Sequence, residues 1–138
     1  MFWMDKETDV FLLLHYPAGH WDFPKGNIEK GESDLETVRR EVKEETGISN
    51  IRILEGFKKI IEYNYRREVS LVHKKVVYYL AESHTMDVRI SFEHRAYDWL
   101  NYDGCMKKLT FKNAKTVLEA ANEFLKQKSH TKTLDRFV

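Results

Sequence analysis

Residues Gly26 to Ile48, GNIEKGESDLETVRREVKEETGI, constrain this chain more than any other stretch. Carboxylates recur there at fixed offsets: Glu32, then Glu41, Glu44 and Glu45, with Arg40 among them and Gly47 plus an aliphatic residue closing the run. Ser33 and Glu36 form a capping box, so a helix starts near Asp34. Leu35, Val38 and Val42 give that helix an apolar stripe, and Gly47 stands where a helix commonly ends on a left-handed residue. On a helical wheel at about 100° per residue, Glu41 and Glu45 fall on the flank of the stripe and Glu44 further round. Their i, i+3 and i, i+4 spacings make them neighbours.

Two readings of these carboxylates stand side by side. An ordinary solvated face puts acids opposite the core and pairs them with cations, and Arg40 with Glu44 at i, i+4 suits that. Carboxylates at the edge of a core, however, repel one another unless a cation lies between them. Grouped oxygens of this kind hold Mg²⁺ and, through it, phosphate. Helix geometry alone leaves both readings open.

The rest of the chain sets limits. Its 138 residues suit one domain, residues 1–138, with a modest core. A formal net charge of +1 gives no overall pull toward nucleic acid or an acidic membrane. Cys105, the single cysteine, excludes an internal disulfide and a multi-cysteine metal cluster, and it is compatible with a reducing compartment. No apolar run is long enough to span a bilayer, and Asp5, Glu7 and Asp9 interrupt any signal-peptide pattern. A soluble cytoplasmic protein without a membrane partner is expected.

Val10 to His15 reads as a buried strand followed by a turn, and His20 to Lys30 as a loop dense in glycine, proline and aromatics. Ile51 to Tyr65 and Glu68 to Ala81 read as strands, with Arg66-Arg67 at or near the turn between them. Val76 to Leu80 is the strongest strand signal. Asp87 to Ile90 and Ala96 to Leu100 are shorter strand candidates. Lys112 to Lys128 reads as an amphipathic helix burying Ala114, Val117, Leu118, Ala121, Phe124 and Leu125. Residues 129–138 are expected to fray. A mixed sheet with a central and a terminal helix argues an α/β (α+β) domain.

The Gly26–Ile48 stretch resembles the Nudix box, G-x5-E-x7-R-E-U-x-E-E-x-G-U, in which U is a bulky aliphatic residue. Gly26, Glu32, Arg40, Glu41, Val42, Glu44, Glu45, Gly47 and Ile48 match its defined positions. The resemblance implies an α/β/α sandwich with a loop-helix-loop metal site and hydrolysis of a phosphoanhydride. It implies that Glu41, Glu44 and Glu45 bind or organise Mg²⁺, or Mn²⁺ in its place, with the carbonyl of Gly26. Glu32 and Arg40 are implied to tie the loop to the helix. A divalent cation so placed offsets phosphate charge and lowers the pKa of coordinated water.

Residues outside the box resemble one branch of the family, the asymmetrical diadenosine tetraphosphate (Ap4A) hydrolases of animals and archaea. The matching segments include His20 to Gly26, Leu54 to Phe57, Val76 to Glu82 and Phe92 to Leu100. The resemblance implies attack of water on the tetraphosphate to release ATP and AMP. It carries a polyphosphate role onto His20 and Lys25, a further phosphate contact onto Lys74, and a metal-site carboxylate onto Glu93. Tyr78 and Phe111 match aromatic positions that hold a base, with Tyr63 and Tyr65 as substitutes for Tyr78. The plainer readings are a loop hydrogen bond for His20, exposed charge for Lys25 and Glu93, and core packing for the aromatics.

This chain departs from the branch at Asn27, where animal enzymes usually carry histidine, and in the short segment Met1 to Asp9 ahead of the first matched strand. Other phosphoanhydride substrates within the family are capped RNA ends, inositol pyrophosphates and nucleoside triphosphates. A non-catalytic nucleotide sensor would lose box carboxylates, and all of them stand here. The linear sequence shows no basic patch with interleaved aromatics, so no stable nucleic-acid partner is expected. Oligomeric state is left open.

Overall fold

The computed structural model describes residues 1–5 and 8–135. Strand β2 (Thr8–His15) is the spine of the main sheet. Leu12, Leu13 and Leu14 on it are wholly buried, each contributing about 1.5–3 kcal/mol by leaving water. One edge of β2 pairs antiparallel with β8 (Ala96–Leu100), from Phe11 opposite Leu100 to His15 opposite Ala96. The other edge is shared. Strand β1 (Phe2–Asp5) takes its first half, and β3 (Trp21–Asp22) takes its end through Leu14 opposite Asp22. Strand β7 (Ala81–Ser83) adds parallel to β1, and β4 (Ile51–Ile53) adds antiparallel to β7, so the sheet is mixed.

Successive side chains on a strand face opposite ways, and the two cores divide accordingly. Phe11 and Leu13 pack with Cys105 and Leu109 near α2 (Tyr102–Lys108) and with Ala114, Val117, Leu118, Ala121 and Leu125 of α3 (Lys112–Asp135). On the opposite face, Trp99, the partner of Leu12, packs with Val42 of α1 (Asp34–Thr46), Ile48, Ile51 and Ala81. The sheet therefore lies between α1 and the α2–α3 pair, the expected α/β/α sandwich. Among the described residues, no helix is long and apolar enough to cross a membrane.

Three strand expectations and one core position need correction. The strand expected over Ile51–Tyr65 breaks at a turn after Ile53, where Gly56 has φ 91°, and resumes as β5 (Lys59–Arg67). The strand expected over Glu68–Ala81 divides into β6 (Ser70–Tyr78) and β7, because Leu80 turns into the α3-side core while its carbonyl accepts the Leu54 N–H at 2.8 Å. Residues 87–90 form no strand. Arg89 N–H and Ser91 N–H instead donate to the carbonyls of Thr46 and Glu45, lacing this segment onto the end of α1. Leu35 is 45% exposed rather than buried, since Thr37 takes the inward place and satisfies its hydroxyl on Glu32 and the Ser33 carbonyl.

The two helix signals at the ends of α1 hold. Ser33 Oγ accepts from Glu36 N–H at 3.2 Å, and Gly47 adopts φ 76° with its N–H on the Lys43 carbonyl. Helix α2 was not legible, being seven residues long with Gly104 inside it. Helix α3 runs to Asp135, past the expected end at Lys128, while residues 136–138 lie outside the described part.

Strands β5 and β6 form a separate two-stranded sheet, in register from Lys59 opposite Tyr78 to Arg67 opposite Ser70. Its root joins the core through Ile61 and Tyr78. Beyond that root its residues are mostly exposed. Arg67 ends β5, and the turn itself is Glu68-Val69, with Glu68 at φ 58°.

Candidate active site

Arg40 organises one side of the site. Its Nε contacts Glu32 Oε2 at 2.6 Å and its Nη2 reaches Glu32 Oε1 and the Asn27 carbonyl. Its Nη1 donates to Glu41 Oε1 at 2.7 Å and Glu44 Oε2 at 3.1 Å. The guanidinium and the Glu29 main-chain N–H hold the Glu32 carboxyl down to about 2. Arg40 itself is held more firmly protonated, chiefly by Glu32. A planar fork suits this bidentate task better than an ammonium would. The clamp fastens the loop after Gly26 to α1 and offsets part of the charge on Glu41 and Glu44.

Glu45 faces the other way. Only 8% exposed, it accepts the Lys25 main-chain N–H on Oε2 at 3.0 Å. Burial pushes its carboxyl up to about 8, with the charges of Glu41 and Glu93 adding to the shift and the Lys25 hydrogen bond opposing it. Gly26 lies against the same helix. A Cβ there would overlap Glu41 Cδ, Cγ and Oε1, so the position leaves space for Glu41 only as glycine. Among the described residues, no three His, Cys, Asp or Glu side chains converge as a ready cation cage; Glu41 and Glu44 are turned to Arg40. The donor set nonetheless fits a hard cation. It offers carboxylate oxygens, one of them raised by burial and further by its carboxylate neighbours, and a close-packed glycine beside them.

Glu93 reaches this place through its loop. Ser91 N–H donates to the Glu45 carbonyl at 3.3 Å, and the loop turns back through His94 N–H on the Ser91 carbonyl. The Ser91 hydroxyl pairs with His94 Nδ1 at 3.0 Å.

Tyr16 and Asp22, neither singled out from the sequence, assemble the cationic side. Tyr16 donates its hydroxyl to the Phe23 carbonyl at 2.7 Å. Its ring stacks on His20 with centroids 4.8 Å apart, meets His94 edge-on, and lies 5.6 Å beneath Lys25 Nζ. Burial, together with the charges of Glu45 and Asp22, keeps the Tyr16 phenol un-ionised. Asp22 is buried, accepts the Phe23 N–H at 2.7 Å and holds Lys25 Nζ at 3.3 Å. The spacing of Asp22 and Lys25 was visible in the sequence, but its burial was not.

His20 also approaches Phe111, with ring centroids 5.2 Å apart. Phe111 is placed by the preceding residue: Thr110 Oγ1 accepts the Trp21 N–H at 2.9 Å. Tyr78 is half-buried at the root of the hairpin, where burial pushes its phenol up to about 12 and the charge of Asp22 adds to the shift. Lys74 stands four residues further out on β6, opposite Tyr63. The structure thus brings His20, Lys25, Glu41, Glu45 and Glu93 around one end of α1, sets Phe111 beside His20, and carries Lys74 outward on the hairpin.

Known proteins share this sequence pattern and fold. Residues 1–120 match the NUDIX domain family. The chain is 41% identical over 128 residues to the bis(5′-nucleosyl)-tetraphosphatase [asymmetrical] of Mus musculus, covering 88% of this chain and 84% of that protein. It is 31% identical over 100 residues to an RNA pyrophosphohydrolase of Helicobacter pylori, covering 66% of this chain and 64% of that one. Its fold resembles the solved binary complex of a C. elegans Ap4A hydrolase, with a TM-score of 0.80 and 28% identity over 91% of this chain and 93% of the other.

Proposed function

The chain belongs to the Nudix family, and on that premise we propose that it is a hydrolase that cleaves diadenosine tetraphosphate asymmetrically with water, giving ATP and AMP. The observation that carries this reading is the meeting of Glu45, buried and crowded by Glu41 and Glu93, with the main chain of Lys25. That junction sets an acidic face directly against phosphate-binding side chains. The similarity to the mouse enzyme over most of both chains supports the substrate.

In this reading Mg²⁺, or Mn²⁺ in its place, is held by Glu41, Glu44, Glu45, Glu93 and the carbonyl of Gly26. When bound, such a cation offsets the charge of the polyphosphate and lowers the pKa of coordinated water. Lys25, steadied by Asp22, and His20, steadied by the Tyr16 ring, bind the phosphate under attack and stabilise the charge that builds on it. Lys74 takes a further phosphate. Glu41 or Glu44 accepts the proton from the attacking water, and Arg40 keeps the acidic helix registered on the loop. Tyr78 and Phe111 offer aromatic faces for the adenine. A single catalytic domain in the cytoplasm completes the reading. Cys105, the single cysteine, is buried as a free thiol, which is compatible with a reducing compartment.

The test is a product-resolved assay in ¹⁸O-water over a panel of dinucleoside polyphosphates, nucleoside triphosphates and 5′-triphosphorylated RNA. Equal ATP and AMP with label in one of them is expected. Two ADP per Ap4A, or no metal-dependent turnover, would overturn the proposal. The likeness to an RNA pyrophosphohydrolase supports a second reading, RNA 5′-end hydrolysis, which faster cleavage of the RNA would favour.

A further inference from the structure

Two loops of the candidate site leave the main sheet at one end. The β2–β8 ladder closes with His15 opposite Ala96, and one further bond runs from the Arg95 N–H to the His15 carbonyl at 2.9 Å. Tyr16 continues from that rung into the loop bearing His20 and Lys25. His94 stands just ahead of it in the loop bearing Glu93.

His94 bridges the two loops. It is buried, and its ring meets the Tyr16 ring edge-on, with centroids 4.7 Å apart and planes at 74°. That tilted arrangement suits two ring quadrupoles. Its Nδ1 pairs with Ser91 Oγ at 3.0 Å, and the same hydroxyl oxygen accepts the Glu93 main-chain N–H at 3.3 Å. Main-chain bonds close the turn, with His94 N–H on the Ser91 carbonyl and Ser91 N–H on the Glu45 carbonyl. One unbroken run of contacts therefore leads from the ring beneath Lys25, through His94 and Ser91, to the main chain of Glu93.

Core packing is the plainer account of a buried histidine, and it asks only for volume. His94 instead divides its contacts between groups that each bear on the site. Tyr16 stacks on His20 and underlies Lys25, while Ser91 holds Glu93 and adjoins Glu45. Among the described residues, no hydrogen bond or ion pair fixes the Glu93 carboxylate, so its aim depends on the turn that carries it. Resting on the metal site proposed above, we propose that His94 is a positioning residue that holds Glu93 in a fixed place relative to Lys25 and His20. Nδ1 acts on the metal side through Ser91. The ring edge acts on the phosphate side through Tyr16. One side chain then sets the cation's place against the phosphate's.

Two variants each keep one contact. His94→Phe keeps the ring edge and loses the Nδ1 bond, while His94→Asn keeps a polar atom near the place of Nδ1 and loses the ring. Mn²⁺ affinity is read from the electron paramagnetic resonance of the free ion over nucleotide-free protein. Phosphate-side affinity is read by calorimetry with a methylene-bridged, non-hydrolysable Ap4A analogue in EDTA. His94→Phe is expected to weaken Mn²⁺ binding about tenfold, the scale of a lost group supporting a metal ligand, and to leave the analogue unchanged. His94→Asn is expected to keep the Mn²⁺ affinity and to weaken the analogue about threefold, the scale of one lost ring contact. Ser91→Ala should reproduce the Mn²⁺ loss, and adding it to His94→Phe should cost nothing further. A packing role would move both affinities together in each variant. That result, no change in either variant, or an additive double variant would overturn the proposal while wild-type Mn²⁺ binding leaves the metal site standing. Wild-type protein that takes no Mn²⁺ would remove the metal site itself, and the role of His94 with it.

Discussion

Glu45 Oε2 and the main-chain N–H of Lys25 meet at 3.0 Å, joining the last turn of α1 to a loop twenty residues earlier in the chain. This bond places the most buried of the box carboxylates at the same point as a candidate phosphate-binding lysine. Glu45→Gln keeps the shape but removes the charge. With Mg²⁺ present, kcat/KM on Ap4A is expected to fall on the order of 10²-fold or more, given what a metal-site carboxylate supplies to such chemistry. Near-normal turnover would remove Glu45 from the metal set.

The same residue predicts a pH signature in the metal-free protein. Its carboxyl is raised from 4.5 to about 8 in the folded state, so the folded state binds more protons than the unfolded state between those values. Stability must then fall as pH rises through that window. Melting temperature in EDTA should decline from pH 5 to pH 8, and Glu45→Gln should flatten the decline. Mg²⁺ should raise the melting temperature more at pH 8 than at pH 5. A flat profile in EDTA counts against a crowded, buried Glu45.

Glu32 acts with the opposite sign. Its carboxyl is lowered from 4.5 to about 2, chiefly by Arg40, so its contribution is present above pH 4.5 and lost as pH falls through 2. Arg40→Lys cannot reproduce the fork that grips both Glu32 oxygens and the Asn27 carbonyl. Scanning calorimetry should show a lower melting temperature for Arg40→Lys at pH 7 and a smaller acid-side loss than in the wild type.

At Gly26, alanine would drive Glu41 out of its place, because the new methyl overlaps that side chain. Turnover at fixed Mg²⁺ is expected to drop roughly 10–100-fold, the scale seen when groups supporting a metal site are disturbed, with partial recovery at high Mg²⁺. An unchanged Mg²⁺ dependence would show that Glu41 does not need that space.

Tyr16 offers a division of roles. Phenylalanine there loses only the bond to the Phe23 carbonyl, so urea unfolding should show a cost of about 0.5–1.5 kcal/mol while kcat/KM changes little. Alanine removes the ring that His20 stacks on and that lies beneath Lys25, and kcat/KM should fall well beyond the loss in stability. Equal kinetics for the two variants would leave His20 and Lys25 positioned by other contacts.

Much of the candidate site was legible because its residues are close in sequence. Helix α1, its Ser33 cap, its Gly47 end and the flank position of Glu41 and Glu45 all follow from spacings of three and four. The misplacement of Leu35 has a local cause too. Periodicity identifies a stripe but not which turn the sheet covers, and here Thr37 takes the covered place. The missed parts are non-local. Tyr16 gathers Phe23, His20, Lys25 and His94 only once β2, β3 and the 91–95 loop have come together.

The sequence by itself determined the chemistry offered: a helix bearing Glu41, Glu44 and Glu45, a loop bearing His20 and Lys25, and a chain able to form a mixed sheet. Local periodicity and capping are readable along one segment, because the interacting residues lie within a turn or two of each other. Tertiary structure alone decided that Glu45 is buried against Lys25, that Asp22 steadies that lysine, and that Tyr63 and Tyr65 share a hairpin face with Tyr78. Burial and strand register depend on which distant segments pack together, and no spacing along a single segment encodes that.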